Sequence, residues 1–250
     1  MNILIVESEN DQYFIESLAK KVSFENTVCR IDTFKHSSLD AKLLTTQIAS
    51  VLGNIDRGLS KIGIILDMDN STQNERILLI NKCLKQALID CGYVAPSILL
   101  STINEFIDIS IDESLNIKVA CFFTNVDGEG ELETVLKAIK SDKYPSIFAD
   151  CLYEGWQNCL KEKGIKIVSR GEQGDFTDKE LLKLWVDFYK RFDTLKKKER
   201  NEKNTDWRGI MTGVTKPPKE ETLNSVRGDD IFNLESEILK DIRFFLRLFD

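Results

Sequence analysis

The first half of the chain alternates short apolar runs with amphipathic stretches. Ile62 to Leu66 is an uninterrupted apolar run, which is typical of a central strand covered on both faces. Ile3 to Val6 is a second such run, and Val28 to Phe34 alternates apolar and polar residues like a strand with one buried face. Ile98 to Leu100 and Val119 to Phe123 are the remaining strand candidates. The pattern therefore predicts several short strands.

Helical patterns separate these strands. The first runs from Tyr13 to Val22, with Ser8 or Asn10 available as its cap. Three more follow, at Leu39 to Leu52, Ile77 to Leu88 and Leu132 to Ile139. Strands that alternate with helices in this way predict an α/β fold with a mostly parallel sheet flanked by helices.

Beyond Lys140 the pattern changes to longer helices with little strand character. The clearest helices are Ile147 to Leu160, Lys179 to Leu195 and Ile238 to Phe249, and the charged stretch 196–230 is predicted to be a loop. We therefore predict two parts, residues 1–140 as an α/β domain and residues 141–250 as a helical extension. Because the closing helix carries too much apolar surface to leave in water, the extension is predicted to pack on the first part.

The chain is acidic overall. Its formal net charge is −7 and its pI is about 5.1, so it lacks the broad positive field with which a basic domain attracts nucleic acid. Any contact with nucleic acid must therefore be local or mediated by a metal ion. No apolar segment approaches the ~20 residues that span a bilayer, and the amino terminus lacks the apolar core of a signal peptide. We accordingly expect a cytoplasmic protein without a membrane partner.

The cysteine and histidine residues argue against a zinc site. The six cysteines are scattered without a Cys-x-x-Cys pair, and His36 is the single histidine. Zinc sites are built from clustered Cys and His ligands, so the cysteines are expected to be small buried hydrophobic residues. His36 lies in a polar stretch and is predicted to be a loop residue rather than a catalyst.

Acidic residues follow three of the predicted strands. Glu7 follows the first, Asp67 and Asp69 follow the run that ends at Leu66, and a cluster follows Phe123, made of Asp127, Glu129, Glu131 and Glu133. Because ligand sites of parallel α/β sheets lie beyond the carboxyl ends of the strands, these groups are predicted to meet at one edge. Asp67 and Asp69 project to the same side of an extended segment and could both reach one ion. Carboxylate ligands suit Mg²⁺ or Mn²⁺, which usually also bind water and a substrate phosphate.

A structural role is the alternative for the two aspartates. Aspartate and asparagine at a strand-to-helix turn also cap helices, so Asp69 or Asn70 could cap the helix that begins near Thr72. The spacing is compatible with both the metal site and the cap. Both interpretations stay open at this point.

The same segments resemble the motifs of a TOPRIM domain. Residues 3–11 (ILIVESEND) are similar to its first motif, an apolar strand ending in glutamate with an aspartate shortly after, and residues 64–69 (IILDMD) to its second, an apolar strand ending in Asp-x-Asp. Residues 130–136 (GELETVL) look like the third acidic segment of small stand-alone TOPRIM proteins and of the overcoming-lysogenization-defect (OLD) nucleases, and residues 244–249 like the aromatic ending of the small proteins. The resemblance covers residues 1–140 and departs from the family pattern at Ser8, where a glycine is usual.

This resemblance implies an activity and a set of site residues. It implies a TOPRIM-like domain in which Asp67 and Asp69 hold Mg²⁺ or Mn²⁺ for breaking or making phosphodiester bonds of DNA or RNA. Glu7 would be a metal ligand or the catalytic general acid/base. Glu133, with Glu129 or Glu131 in reserve, would complete a second metal position.

The resemblance also implies a partner. Many OLD-type nucleases act beside an ABC-type or SMC-like ATPase, in one chain or as separate proteins, often in defence against phage. This chain has no Gly-x-x-x-x-Gly-Lys-Ser/Thr phosphate-binding loop, so the ATPase would be a separate protein. The sequence is also compatible with a homo-oligomer.

Two alternatives compete with the nuclease interpretation. A response-regulator receiver also begins with an apolar strand and acidic residues, but it needs paired acids directly after that strand, and Ser8 interrupts the pair. It also needs a lysine at the end of its fifth strand, usually before a proline, and Lys216-Pro217 lies too deep in the carboxyl-terminal region for that position. A catalytically inactive TOPRIM-like module, with a binding or regulatory role, is favoured by Ser8 and by the acidic charge. The basic stretch Lys196 to Lys203 is either a solvated helix face or an arm that contacts phosphates.

Overall fold

Two compact units make up the described part of the chain. The structure, a computed structural model, describes residues 1–21, 29–33, 41–94, 96–97, 99–112, 115–168, 176–195 and 231–250. Unit 1 comprises Met1–Glu129 and Leu239–Asp250, and unit 2 comprises Gly130–Ile238. The predicted loop residue His36 and the stretch 196–230 lie outside the described residues. The predicted division at residue 140 stays a prediction.

Strands and helices alternate along unit 1, and helices dominate unit 2. In chain order they are β1 (Asn2–Val6), α1 (Glu9–Lys21), β2 (Cys29–Thr33), α2 (Ala41–Leu52), β3 (Lys61–Asp67), α3 (Gln73–Asp90), β4 (Ile107–Ser110), β5 (Asn116–Thr124), α4 (Leu132–Ala138), α5 (Ile147–Glu162), β6 (Ile167–Val168), β7 (Phe176–Thr177), α6 (Asp178–Phe188) and α7 (Lys240–Arg247). None of these helices is both long enough and apolar enough to cross a membrane.

The sheet of unit 1 is open and mostly parallel. Its strand order is β2-β1-β3-β5-β4, with parallel pairing from β2 to β5 and an antiparallel β4 at the edge. β1 and β3 are parallel neighbours in which Val6 pairs with Ile65. β3 is buried along almost its whole length, because a strand in the middle of such a sheet is covered on both faces. The predicted α/β class with a mostly parallel sheet flanked by helices is therefore confirmed.

The strand predicted at Ile98 to Leu100 is wrong. Leu99 and Leu100 lie outside any strand. The backbone N–H of Leu100 donates to the side-chain oxygen of Asn81 at 3.1 Å, and its C=O accepts from the Asn81 amide at 2.8 Å. These bonds satisfy the backbone groups that a strand would have used in a ladder. The edge position belongs instead to β4, whose short, half-exposed sequence did not stand out as an apolar run.

Helices α2 and α3 cover one face of the sheet. The two helices pack against each other and against strand residues that share one face, because alternate residues of a strand point to the same side. Among the residues of this core are Leu44 and Ile48 of α2, Ile80 and Leu84 of α3, and Ile3, Ile64 and Cys121 of the strands. The apolar residues that recur at helical spacing in α2 and α3 thus form one continuous core with the strands.

Helices α1 and α7 belong to the other face, although they come from opposite ends of the chain. The rings of Phe245 and Phe249 lie over Gly63 in the middle of β3. Phe245 also contacts Phe122 of β5, with ring centroids 5.8 Å apart. Because Gly63 has no side chain, the aromatic rings lie directly against the strand.

Hydrogen bonds hold the end of the chain against the first residues of β1 and β3. The ammonium group of Lys61 donates to the C=O groups of Leu248 at 2.7 Å and of Asp250 at 3.0 Å. The amide of Asn2 donates to the C=O of Phe249 at 2.7 Å. These side chains satisfy carbonyl groups that a helix leaves without partners at its carboxyl end.

Unit 2 is mainly helical. α5 and α6 pack together, and α6 continues at Tyr189 into a π-helical turn, Tyr189–Asp193, inside the helix that was predicted to run to Leu195. Trp185 and Tyr189 stack in its core with ring centroids 5.1 Å apart. β6 and β7 form a short parallel pair, which the weak strand character of this region did not predict.

The cysteines differ in their surroundings. Cys83 and Cys121 are buried, as expected, and burial raises the pKa of Cys121 to about 12. Cys151 and Cys159 are exposed, so the expectation of burial is wrong for these two. Both lie on α5, of which Ala149 is the buried residue.

We expect Gly63→Ala to lower the free energy of unfolding by about 1 to 3 kcal/mol, the usual cost of overpacking a core. A Cβ atom on Gly63 would lie 2.4 Å from Cδ2 of Leu4 and 2.6 Å from Cζ of Phe249, and both side chains are buried. Urea denaturation of wild type, Gly63→Ala, Phe249→Leu and the double variant measures the effect. The double variant should lose less stability than the sum of the single variants, because leucine makes room for the new methyl group. Additive losses would contradict the predicted contact.

Candidate metal site

The central strand β3 ends in two aspartates. Asp67 is its last residue and is buried. Asp69 follows with φ 49°, in the left-handed region that aspartate tolerates better than most residues. One carboxylate oxygen of Asp67 lies within 4.8 Å of one of Asp69. The chain thus brings together the two carboxylates that the Asp-x-Asp spacing predicts on one side.

Glu7 lies beside Asp67 because β1 and β3 are neighbours. It directly follows Val6, and its buried carboxylate accepts the backbone N–H of Asp67 through Oε2 at 3.2 Å. The two residues are therefore close, as the order of the strands predicts. A role of Glu7 in metal binding or catalysis stays a prediction.

Arg76 is a neighbour of the aspartates that the sequence analysis missed. It is buried in the first turns of α3, where its guanidinium group forms an ion pair with the carboxylate of Asp69. Its Nε donates to the C=O of Met68 at 3.3 Å. The signal that could have revealed it is a basic residue next to Ile77, at the start of the apolar pattern of α3. Its positive charge offsets part of the repulsion between the two aspartates.

The cap of α3 is Thr72. Its Oγ1 accepts the N–H of Glu75 at 3.3 Å, and its own N–H donates to Oε2 of Glu75 at 2.7 Å. This reciprocal pair satisfies two of the N–H groups that a helix leaves without partners at its amino end. The alternative in which Asp69 or Asn70 caps this helix is therefore wrong.

The cap of α1 is Ser8, one of the two predicted candidates. Its N–H donates to Oδ2 of Asp11 at 2.9 Å, and its Oγ accepts the N–H of Asp11 at 3.3 Å. Its C=O accepts the N–H of Gln12 at 3.1 Å, the first bond of the helix. Ser8 thus has a structural task at the position where the TOPRIM motif usually has glycine.

The turn after β5 leaves two of the predicted acids in solvent. Val126 and Glu129 exchange both backbone hydrogen bonds, at 2.9 and 3.1 Å, and Asp127 lies between them with φ 54°. Asp127 and Glu129 are exposed. Neither is among the acidic residues of the described chain that could hold a metal ion.

Glu131 is a buried acid of the next segment. It precedes α4 in unit 2 as its N-cap, and Nζ of Lys179 lies 2.5 Å from its Oε2. Glu133 is buried in the first turn of the same helix. Among the described acidic residues of unit 1, Asp67 and Asp69 lie close enough to share a metal ion. For the second metal position implied by the resemblance, Glu133 was the predicted ligand and Glu131 an alternative to it. That Glu133 binds a metal stays a prediction.

The chemistry of these groups suits a hard divalent cation. Asp67 and Asp69 each offer a carboxylate oxygen, and Mg²⁺ usually takes one or two carboxylates and completes its shell with water or phosphate oxygens. Carboxylates this close repel one another, and a cation between them would turn that repulsion into attraction. It would also present positive charge to an anionic substrate.

Comparisons with known proteins identify a family but no function. A family model described as "Protein of unknown function (DUF3226)" matches residues 1–249, and this range includes residues of both units. No match was found among curated proteins or among solved structures.

We expect Thr72→Ala to lower the free energy of unfolding by about 0.5 to 2 kcal/mol, because it removes a helix cap. The matched control is Thr46→Ala, in the exposed interior of α2, where the Thr46 hydroxyl bonds only to the C=O of Lys42 in its own helix. Alanine is the better helix former there, so the control should leave stability unchanged or raise it. Thermal and urea unfolding measure both variants. Equal effects of the two substitutions would show that Thr72 is not the cap.

Proposed function

We propose that this chain, a member of the DUF3226 family of proteins of unknown function, catalyses phosphodiester chemistry on nucleic acid. The proposed reaction depends on a divalent cation. The observation that carries the proposal is the pair of carboxylates at the end of the central strand, Asp67 and Asp69, whose oxygens lie within 4.8 Å of each other. Ligands of parallel α/β sheets bind beyond the carboxyl ends of the strands, which is where this pair lies.

In this proposal the cation is Mg²⁺ or Mn²⁺. Asp67 and Asp69 supply its first carboxylate ligands. Glu133 would serve a second metal position, as the TOPRIM resemblance implies. Hard cations held by a few carboxylates keep water molecules that a phosphate can replace. The cation would then neutralise the charge that develops on the phosphate oxygens during bond cleavage.

Glu7 is the proposed metal ligand or general acid/base. Its carboxylate is held next to Asp67 by the bond from the Asp67 N–H to Oε2. A general acid or base must lie within hydrogen-bond reach of the proton that it transfers. A buried carboxylate beside the proposed metal ligands would be placed to exchange a proton with a water molecule or a leaving oxygen of the substrate.

The resemblance to TOPRIM and OLD-type proteins supports the same reaction. The acids that match its first two motifs, Glu7 and the pair Asp67 and Asp69, all lie in unit 1 after neighbouring parallel strands. Ser8 replaces the usual glycine, and its backbone and side chain cap α1 through Asp11. The departure from the motif is thus accommodated by local hydrogen bonds.

The substrate and partner follow from charge and from the resemblance. With a formal net charge of −7, the chain would accept an anionic strand of DNA or RNA through the metal ion rather than through a basic surface. An ABC-type or SMC-like ATPase is the proposed separate partner, and phage defence in the cytoplasm is the proposed setting. Cleavage would then depend on that partner.

A second candidate is a catalytically inactive module that binds a metal or a partner. The observation that favours it is the ion pair between Asp69 and Arg76. An aspartate that already has a cationic partner inside the protein can be stable without a metal ion. A module that binds a partner instead of a metal would use Asp69 to orient Arg76.

We expect the wild type to bind Mn²⁺ and the variants Asp67→Asn and Asp69→Asn to bind it at least roughly tenfold more weakly, a loss of about 1.4 kcal/mol. Isothermal titration calorimetry measures the affinities. The matched control is Asp127→Asn, which removes an exposed acid from the turn after β5 and should leave binding unchanged. In metal-free buffer Asp67→Asn should keep or raise the melting temperature by relieving repulsion. Asp69→Asn should lower it, because buried Arg76 loses its charged partner.

We expect Glu7→Gln to slow cleavage of DNA or RNA by about 10² to 10⁴-fold, the usual contribution of a general acid or base. The assay contains Mg²⁺ or Mn²⁺ and is run with and without ATPases encoded beside this chain. Asp127→Asn is again the control and should cleave like the wild type. A wild type that binds Mn²⁺ but cleaves nothing with either metal and every partner would favour the inactive module.

A further inference from the structure

The guanidinium group of Arg76 has a donor that the described part of the protein does not use. Arg76 is only 7% exposed. Its Nε donates to the C=O of Met68 at 3.3 Å, and its Nη2 donates to the carboxylate of Asp69. The other terminal nitrogen, Nη1, forms no hydrogen bond with any described residue. Because buried polar groups normally have partners, this nitrogen points to a partner outside the chain.

The contact with Asp69 differs from that of an arginine that only neutralises a carboxylate. Such pairs are frequently bidentate, with two parallel N–H groups on the two carboxylate oxygens. Here a backbone C=O holds Nε, and Nη2 alone donates to the carboxylate. These two contacts fix the plane of the guanidinium group and leave Nη1, on its other edge, available to a ligand.

Arg76 lies where the chain passes from β3 into α3. Side chains of a helix point toward its amino end, so the guanidinium group reaches back to Met68 and Asp69, which precede the helix. The side chain keeps 8% of its exposure, and Nη1 is not sealed from solvent. A ligand atom can therefore reach Nη1 at the edge of the sheet where Asp67 and Asp69 lie.

The charges at this edge define the ligand. A guanidinium group donates hydrogen bonds and accepts none, and its planar fork suits phosphate and carboxylate oxygens. Asp67 and Asp69 repel an anion unless a cation neutralises them. The ligand must therefore bind a hard cation and accept from arginine at the same time. A phosphate group meets both requirements, because its oxygens also complete the shell of Mg²⁺.

We propose that Arg76 is a phosphate-binding residue of the candidate metal site. Its Nη1 donates to an oxygen of the same substrate phosphate that the divalent cation binds. This inference rests on the proposed phosphodiester chemistry and adds to it a residue that contacts the substrate. Asp69 then has two roles, as a ligand of the cation and as the group that holds the guanidinium in place. Arg76 stabilises negative charge on a phosphate oxygen that the cation does not reach.

The shared phosphate makes metal and phosphate bind cooperatively. Thymidine 5′-monophosphate is the probe, because it carries a phosphate but no phosphodiester bond that the protein could cut. Equilibrium dialysis of the full chain measures its binding with and without Mn²⁺. We expect Mn²⁺ to tighten binding of the nucleotide at least roughly tenfold, and the nucleotide to tighten binding of Mn²⁺ by the same factor.

Arg76→Lys separates the phosphate contact from the charge beside Asp69. Lysine keeps the positive charge but has one ammonium group in place of the fork, so it reaches either the carboxylate or the phosphate. It should weaken nucleotide binding in Mn²⁺ about tenfold or more. Its affinity for Mn²⁺, measured by calorimetry, should stay within about threefold of the wild type, because the charge near the acids is unchanged. The control is Arg57→Lys, the same change at an exposed arginine before β3, which should alter neither affinity.

A second variant, Arg76→Gln, removes the charge and should weaken nucleotide binding at least as much as Arg76→Lys. If both variants bind the nucleotide like the wild type, the inference is overturned and the proposed chemistry stands. Loss of Mn²⁺ binding by Arg76→Lys would make Arg76 a support for Asp69 and overturn its role with phosphate. Equally tight nucleotide binding without Mn²⁺ would overturn the shared phosphate. A wild type that does not bind Mn²⁺ would overturn this inference and the proposed function together.

Discussion

Val6 and Ile65 pair in parallel register across β1 and β3, and the position of the acidic residues depends on that pairing. Because the two strands leave the sheet together, Glu7 and Asp67 end at the same edge, where one hydrogen bond joins them. The apolar residues on both faces protect this register, since a slip by one residue would exchange the sides to which all the side chains point. The packing of the apolar strand residues therefore also sets the positions of the acidic residues, because Glu7 and Asp67 lie at the ends of these strands.

Charge is the second constraint on this edge of the sheet. Two carboxylates lie close together after β3, and Arg76 reaches one of them from the adjoining helix. Separate residues, Ser8 and Thr72, cap the helices that follow the acids. The acids at the ends of β1 and β3 are thus not needed as helix caps, the role that aspartate often has at such turns. They lie at the edge of the sheet where ligands of parallel α/β proteins bind.

The parts of the fold that were predicted correctly depend on local patterns. Uninterrupted apolar runs identified β1, β3 and β5, because burial on both faces leaves no room for polar residues. The prediction failed where a distant residue decides: the side chain of Asn81 binds the backbone N–H and C=O of Leu100, so no strand forms there. At the site, Asp-x-Asp spacing predicted Asp67 and Asp69 together. Arg76 was missed because nothing in the spacing between an aspartate and a later helix indicates an ion pair.

The closing helix α7 has a consequence for synthesis on the ribosome. Residues 239–250 complete unit 1, but residues 130–238, all of unit 2, are made between the two pieces. At typical elongation rates the first 129 residues would wait roughly 5 to 20 s for the rings that lie over Gly63. During that interval one side of the nascent sheet is a hydrophobic surface open to chaperones. Translation that stops before Phe245 would leave Gly63 without the rings that lie over it.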